Sequence, residues 1–468
     1  MADLVIKNGL VVTPSGVIKG GVAVTGKKIV KVCSDENLPE ATKKIDAKGG
    51  YVIPGFIDPH VHLGNDKQPV PFERVRDDFV TETKGAIYGG VTSFITYWCQ
   101  LGSYKDNFQQ FVDWGNKHSH INFGLHFAIQ NEDHIDEIED YFNMGVTSFK
   151  HFYNAYKGKT GIELGHRHTD PVMMYKTMLK LKEYGTPAVA CTHCEEQDII
   201  YYIEEQIQKT GAKDLKSYSA SRPPFTEMMQ MLHAMEIAKG TGAPLYIVHI
   251  SIADGMEATR RAREEGYTIY AETCPHYLTH TEDDEEAIGC WGQVNTPLRT
   301  KDDNEALWRG IRNGGITNMG TDHCPYKKES KQLGGPKHDN CWSALSGIGN
   351  GMENWLPVMM TCGVNAGRIT IEDMVNVCST NNAKVFGLYP EKGIIAEGSD
   401  ADIVVIDPNK EAIVDNNFYH TRSDWSIYDG WKFKGMAVDT IVNGRIMLED
   451  GEFVGEEGIG EFIARSKK

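Results

Sequence analysis

The chain has no run of about 18 apolar residues, so nothing in its 468 positions reads as a membrane-spanning helix. Its start, MADLVIKNGLVVTPSG, has neither the basic leader nor the apolar stretch of a signal peptide, and the cytosol is the expected address. Positive charge is scarce. Lysine and arginine count 48 against 65 aspartates and glutamates, a net charge of −17, which argues against a groove tracking nucleic-acid phosphates or an anionic membrane surface. Ten cysteines form no dense framework, and the one Cys-x-x-Cys, Cys191/Cys194, falls short of a zinc ribbon, which needs two such pairs; free buried thiols are expected. Low-complexity segments and short-period repeats are missing as well. What is present is 40% hydrophobic, 24% charged and 10% aromatic residues, enough for a large core in more than one folding unit.

The two ends are strand-rich. Residues 3–53 alternate apolar stretches with Asn8-Gly9, Ser15-Gly16 and Gly26, read as hairpin turns. After a helical stretch at about Ile371 to Phe386, GIIAEGSDADIVVID, TIVNGRIML and GEFV repeat that pattern. Residues 1–54 and 385–468 are therefore expected to share one composite β-sandwich. Between them, eight apolar strands alternate with helical segments: YVIPGFIDPHVHL, VTSFITYW, INFGLHFAI, VTSFKHFY, TPAVACTH, PLYIVHIS, YTIYAETC and ITNMGTDH. Eight strand-helix units over residues 55–384 predict a (β/α)8 barrel, whose reactive groups sit where strands end.

Seventeen histidines would give roughly 0.6 His-x-His pairs by chance, and the chain has three. His118/His120 and His166/His168 lie in polar stretches and read as solvated. His60/His62 ends a strand, where alternation puts both imidazoles on one face. Lys150, His193, His249 and Asp322 also stand at strand ends. Four histidines and a carboxylate suit zinc or a similar divalent ion, but two adjacent dications need a bridging anion. A desolvated lysine can add carbon dioxide and become a carbamate able to bridge them. His151, His166 and His168 read as loop or surface residues, the acidic run at 282–287 as a solvated helix start, and GNDKQPVPFERVRDD as a mobile loop over the site.

GFIDPHVHL, the strand-final Lys150, His193 and His249, the segments CPHYL, NTPLR and GTDHCP, and the closing AEGSDADIVVID together resemble the cyclic amidohydrolases. Within that superfamily the chain is similar to the dihydropyrimidinase and hydantoinase branch, from about residue 3 to residue 450. The resemblance implies a binuclear barrel. His60 and His62 would hold the more buried metal with Asp322, His193 and His249 the exposed one, and N6-carboxylated Lys150 would bridge two divalent ions, expected to be zinc. A bridging hydroxide would attack a ring carbonyl, with Asp322 moving the proton to the departing nitrogen, so that a cyclic amide opens to an N-carbamoyl acid.

For the substrate, the resemblance points to Tyr156 as oxyanion donor, with Tyr153 the alternative, because position 155 is alanine where a tyrosine is usual. Asn295 falls where the branch grips the ring through its backbone, and Gly347 where an asparagine is common. Allantoinase, dihydroorotase and a non-catalytic scaffold of the dihydropyrimidinase-related type are the competing readings. The second places an arginine just beyond His-x-His, where Leu63-Gly64-Asn65 stand here, and the scaffold lacks ligands that are all present here. An apolar set (Pro69, Val70, Pro71, Phe72, Tyr97, Trp98 and Phe152) is expected to cover an uncharged ring substituent, with Arg74 or Arg76 as possible partners for a charged one. The partner expected is a small cyclic amide, without nucleic acid or membrane, in a homotetramer or homodimer.

Overall fold

The computed structural model describes residues 1–64, 72–155, 167–331, 340–415 and 418–466. Period-2 alternation at the amino end becomes β1 (Ala2–Thr13), β2 (Gly16–Thr25), β3 (Lys28–Cys33), β4 (Ala41–Asp46) and β5 (Tyr51–Pro54). The Ser15-Gly16 and Gly26 turns form where expected. Asn8-Gly9 does not turn: it is a bulge inside β1, with Asn8 at φ 57°, where the strand exchanges its parallel partner β4 for β5.

The stretch read as the first barrel strand divides at Gly55. Tyr51–Pro54 stays in the end sheet, while β6 (Phe56–Val61) opens the barrel. A Cβ on Gly55 would lie 2.1 Å from Thr92 Oγ1, so only glycine passes at this junction. The barrel continues with β7 (Val91–Trp98), β8 (Asn122–Ala128), β9 (Ser148–Tyr153), β10 (Val189–Cys194), β11 (Leu245–Ile247), β12 (Ile269–Thr273) and β13 (Asn318–Met319). These eight strands pair in parallel in sequence order, and His62 N donates to His323 O at 2.9 Å across the gap between β6 and the segment after β13, nearly closing the ring.

Helices between the strands begin and end on local signals. Asp170 accepts from Met173 N ahead of Pro171–Tyr184, Thr300 and Asp303 form a capping box ahead of Lys301–Asn313, and Gly242 in left-handed geometry stops Pro224–Thr241. The chain then returns through β14 (Ile403–Ile413), β15 (Lys432–Val442), β16 (Arg445–Glu449) and β17 (Glu452–Phe453). β14 pairs antiparallel with β5, joining both chain ends in one nine-stranded sheet around Ile6, Val22, Val52, Ile403 and Ile441. Beyond β17 the tail leaves that sheet and follows β8, with Ile463 N donating to Phe123 O at 2.8 Å. Among the described residues no helix is long and apolar enough to cross a membrane.

Several expectations are corrected. Cys290 and Cys341 form a disulfide, so the thiols are not all free; five of the others are buried. The second half of the supposed loop over the site is a helix, Phe72–Tyr88, in which Arg74 pairs one turn on with Asp78 at 3.0 Å, while Arg76 meets its neighbour Asp77 at 2.9 Å. Residues 65–71, which include Pro69, Val70 and Pro71, lie outside the described residues, as does His166. His120 is buried and meets Thr83 Oγ1 at 3.0 Å, whereas His118 and His168 remain at the surface side. His151 is fully buried in β9: a barrel strand is covered on both faces, so its outward residues are enclosed by helices. The acidic run does start a short helix, Glu285–Ile288, as expected, and Glu285 there also accepts from Leu215 N and Lys216 N of a segment about 70 residues earlier.

Candidate metal centre and substrate edge

Alternation sends Lys150 into the barrel and His151 out of it, and the same rule brings His60, His193 and Tyr97 inward from their strands. Two further groups arrive by strained backbone. His249 at φ 40° and Asp322 at φ 51° occupy the left-handed region, costing on the order of 1–2 kcal/mol each, a strain that clusters at functional sites. Gly320 completes the turn into Asp322, since a Cβ there would stand 2.8 Å from both Glu272 Oε2 and His60 Cβ.

Six predicted groups converge on the rim where these strands end. Asp322 Oδ1 lies 3.0 Å from His60 Nε2 and 3.1 Å from His62 Nε2, and the ligand atoms of these three residues are all within 4.8 Å of one another. His193 Nδ1 faces His249 Nε2 at 2.9 Å, and the His60 and His249 rings are 5.4 Å apart, which makes the two groups one cluster. Lys150 Nζ sits 4.4 Å over the Tyr97 ring.

Electrostatics suit ligation. Burial pushes His62 down to about 4, and burial together with neighbouring His193 holds His249 well below its usual range, so both imidazoles keep a free lone pair at neutral pH. Burial works to raise Asp322, yet His60 and His62 beside it hold its carboxyl well below the usual carboxylate range. Burial lowers Lys150 against the opposing pull of Asp322 and Glu272.

Three supporting carboxylates were not singled out in the sequence. Glu272, at the end of β12, accepts from His60 Nδ1 at 2.7 Å, from Tyr246 OH at 2.8 Å and from His249 N at 3.0 Å. Glu195 accepts from His193 Nε2 at 2.8 Å, and Asp58 accepts from Thr321 Oγ1 at 2.5 Å and from His60 N at 3.1 Å. Fixing the far nitrogen of an imidazole in this way orients its near nitrogen toward a ligated ion. Each lies within two residues of a histidine or at a strand end, the signal that could have found them.

The donor set fits a metal by its own unmet needs. His249 Nδ1 is buried with no partner, and His60 Nε2, although 3.0 Å from Asp322, has no aligned hydrogen-bond partner.

Comparison with known proteins agrees. The amidohydrolase family matches residues 116–447. The D-hydantoinase of Ralstonia pickettii is 34% identical over 476 residues, covering 99% of this chain and 99% of its own. The chain belongs to the amidohydrolase family. Among solved structures, the L-hydantoinase (dihydropyrimidinase) of Arthrobacter aurescens superposes with a TM-score of 0.90 at 30% identity, over 99% of this chain and 100% of that one. The dihydropyrimidinase of Brevibacillus agri gives 0.88 at 32% identity, over 99% and 98%. This amidohydrolase thus matches its relatives along both the barrel and the end sheet.

The residues expected to hold substrate are less gathered. Tyr156 lies outside the described residues. Asn295 is partly exposed, and its side-chain oxygen accepts from Tyr218 OH. Gly347, at φ 131°, has no room for the asparagine common at its place: a Cβ would stand 2.7 Å from Cys324 Sγ and 2.9 Å from a Tyr326 ring carbon. Tyr97, Trp98 and Phe152 are buried, and a cavity of about 160 Å³ opens between His62, Val75, Tyr97, Trp98, Gln100 and Phe111.

Proposed function

We propose that this amidohydrolase opens cyclic amides, dihydropyrimidines or 5-substituted hydantoins, to N-carbamoyl amino acids. The observation that carries the reading is the convergence of four imidazoles, Asp322 and Lys150 on one rim of a barrel whose relatives bear the names hydantoinase and dihydropyrimidinase. His60, His62 and Asp322 would hold one divalent ion, His193 and His249 a second, and Lys150, as its carbamate, would bridge them; the nitrogen-rich donor set favours zinc. Such ions, when bound, acidify water and polarise the amide carbonyl.

The chain's own residues do the rest. Glu272 and Glu195 keep His60 and His193 in the ligating tautomer. Asp322 takes a proton from the attacking water and delivers it to the departing ring nitrogen. Tyr153 stands on the same outward side of β9 as His151, away from Lys150, and burial pushes its hydroxyl up to about 12. That orientation supports Tyr156, the better match to the family-like AYKG, as the oxyanion donor. The backbones around Asn295 and Gly347 grip the ring, and Tyr97, Trp98 and Phe152 favour an uncharged substituent. Arg74 and Arg76 are engaged by carboxylates of their own helix, which disfavours a carboxylated ring.

A panel of cyclic amides tests this. Dihydrouracil or a 5-substituted hydantoin should exceed dihydroorotate and allantoin by at least about tenfold in kcat/KM. Either of the latter two proving best would overturn the branch.

A homo-oligomer completes the proposal. Val172, Tyr175 and Leu179 on one helix and Phe225, Met229 and Leu232 on the helix packed against it are 40–58% exposed, two apolar stripes at helical spacing. Light scattering showing a monomer would refute it.

A further inference from the structure

Lys331 ends the short helical turn Lys328–Lys331, and its side chain is 1% exposed. Its Nζ donates to Gln293 O at 2.6 Å and to Gly347 O at 2.7 Å. The ring of Trp425 lies 5.4 Å away, and among the described residues no carboxylate pairs with the amine. Burying an amine without a counter-charge is costly, so its partners indicate what it does there. Both belong to the substrate edge: Gln293 is two residues before Asn295, and Gly347 is itself a candidate contact.

The same joint is tied elsewhere. Gly347 N donates to Gln293 O at 3.4 Å, Leu345 N to Lys331 O at 2.7 Å, and Cys324 N to Ile348 O at 3.1 Å. Through Cys324 the edge is fixed to the segment carrying Asp322. Gly347, pressed against Cys324 and Tyr326, can present only backbone. Selectivity at such an edge depends on the distance between its two segments, and the amine of Lys331 spans them.

We propose that Lys331 is a positioning residue that sets the width of the ring slot, holding the Asn295 and Gly347 segments at the spacing that discriminates five-membered from six-membered cyclic amides. This rests on the reading that those segments grip the ring. A neutral amine has two N–H donors for the two carbonyls, so the brace works in either protonation state.

The test compares wild type with K331M and K331Q. It measures kcat and KM for hydantoin and for dihydrouracil, metal content per chain and the thermal midpoint. In K331M, KM should rise about tenfold for at least one ring, kcat should fall less, and the ratio of the two kcat/KM values should shift at least about threefold. Metal content should stay at the wild-type level. K331Q, which keeps donors on a shorter arm, should fall between and serves in place of K331M if that variant does not fold. An unchanged ratio, with both KM values within about twofold of wild type, overturns the brace. Equal losses for both rings that track lost metal or lost fold overturn it too. Wild type cleaving neither ring overturns the underlying substrate reading instead.

Discussion

The metal rim and the substrate edge occupy the same end of the barrel but are built differently. The rim uses side chains from five strand ends, placed by strand alternation and, for His249 and Asp322, by left-handed backbone, and backed by Glu272, Glu195 and Asp58. The edge uses backbone from the segments at 293–296 and 345–348, held by Lys331, the Cys290–Cys341 disulfide and the close packing at Gly347. On the proposed reading, side chains at the rim would fix the chemistry, whereas the spacing of backbone at the edge would fix the substrate. Damage to the rim should therefore appear in metal content and turnover, and damage to the edge in KM, ring preference and local stability.

The largest effect should come from Lys150→Ala, which removes the proposed bridging group: metal content and activity should both be lost, with partial rescue by a small carboxylate. Full metal occupancy in that variant, measured by elemental analysis, would refute the bridge. Asp322→Asn should lower turnover by about 10²–10⁴-fold while KM changes only a few-fold, because a proton carrier acts chiefly in the transition state. Steady-state kinetics showing ordinary turnover would take Asp322 out of the reaction.

The edge should respond in stability. Reducing Cys290–Cys341, which closes a loop across a separation of 51 residues, should cost about 2–4 kcal/mol in urea unfolding. Gly347→Ala should cost about 1–3 kcal/mol from the overlap with Cys324 and the positive φ, and equal unfolding midpoints would contradict that crowding.

The smallest effect is a pH dependence. Burial lowers Lys331 from 10.5 to about 7, with Cys324 opposing; the other groups against the amine are the two carbonyls and the Trp425 ring. The native state sheds a proton that the unfolded chain keeps up to 10.5, so this contribution is present above 10.5 and lost as pH falls through about 7. Wild type should gain stability relative to K331M as pH rises from 7 to 10.5, and parallel stability curves would contradict it.

The same contrast explains what could be read from sequence. Strand ends carrying His60, Lys150 and His193 were legible because period 2 states which residues share a face, whereas His62, His249 and Asp322, just beyond their strands, were legible only as chemistry-bearing residues at strand ends. Errors fell where tertiary packing overrides local pattern. Asn8-Gly9 has turn composition but sits where β1 changes partners. His120 and His151 are polar by type yet enclosed by neighbouring elements. Cys290 and Cys341 gave no spacing signal because their pairing depends on two loops meeting. Lys331 looked like any lysine in KKESK, since its role depends on carbonyls from segments 16 and 38 residues away in sequence.

The pairing of β5 with β14 has a consequence for how the protein is made. Pro54 meets Ile403, so the amino-terminal strands wait for a partner almost 350 residues downstream. At about 5–20 residues per second, ribosomal synthesis takes on the order of 20–70 s to supply it. During that interval the edge of β5, which includes Val52 and Ile53, is unpaired, and a chain stalled within the barrel would expose it to other nascent chains.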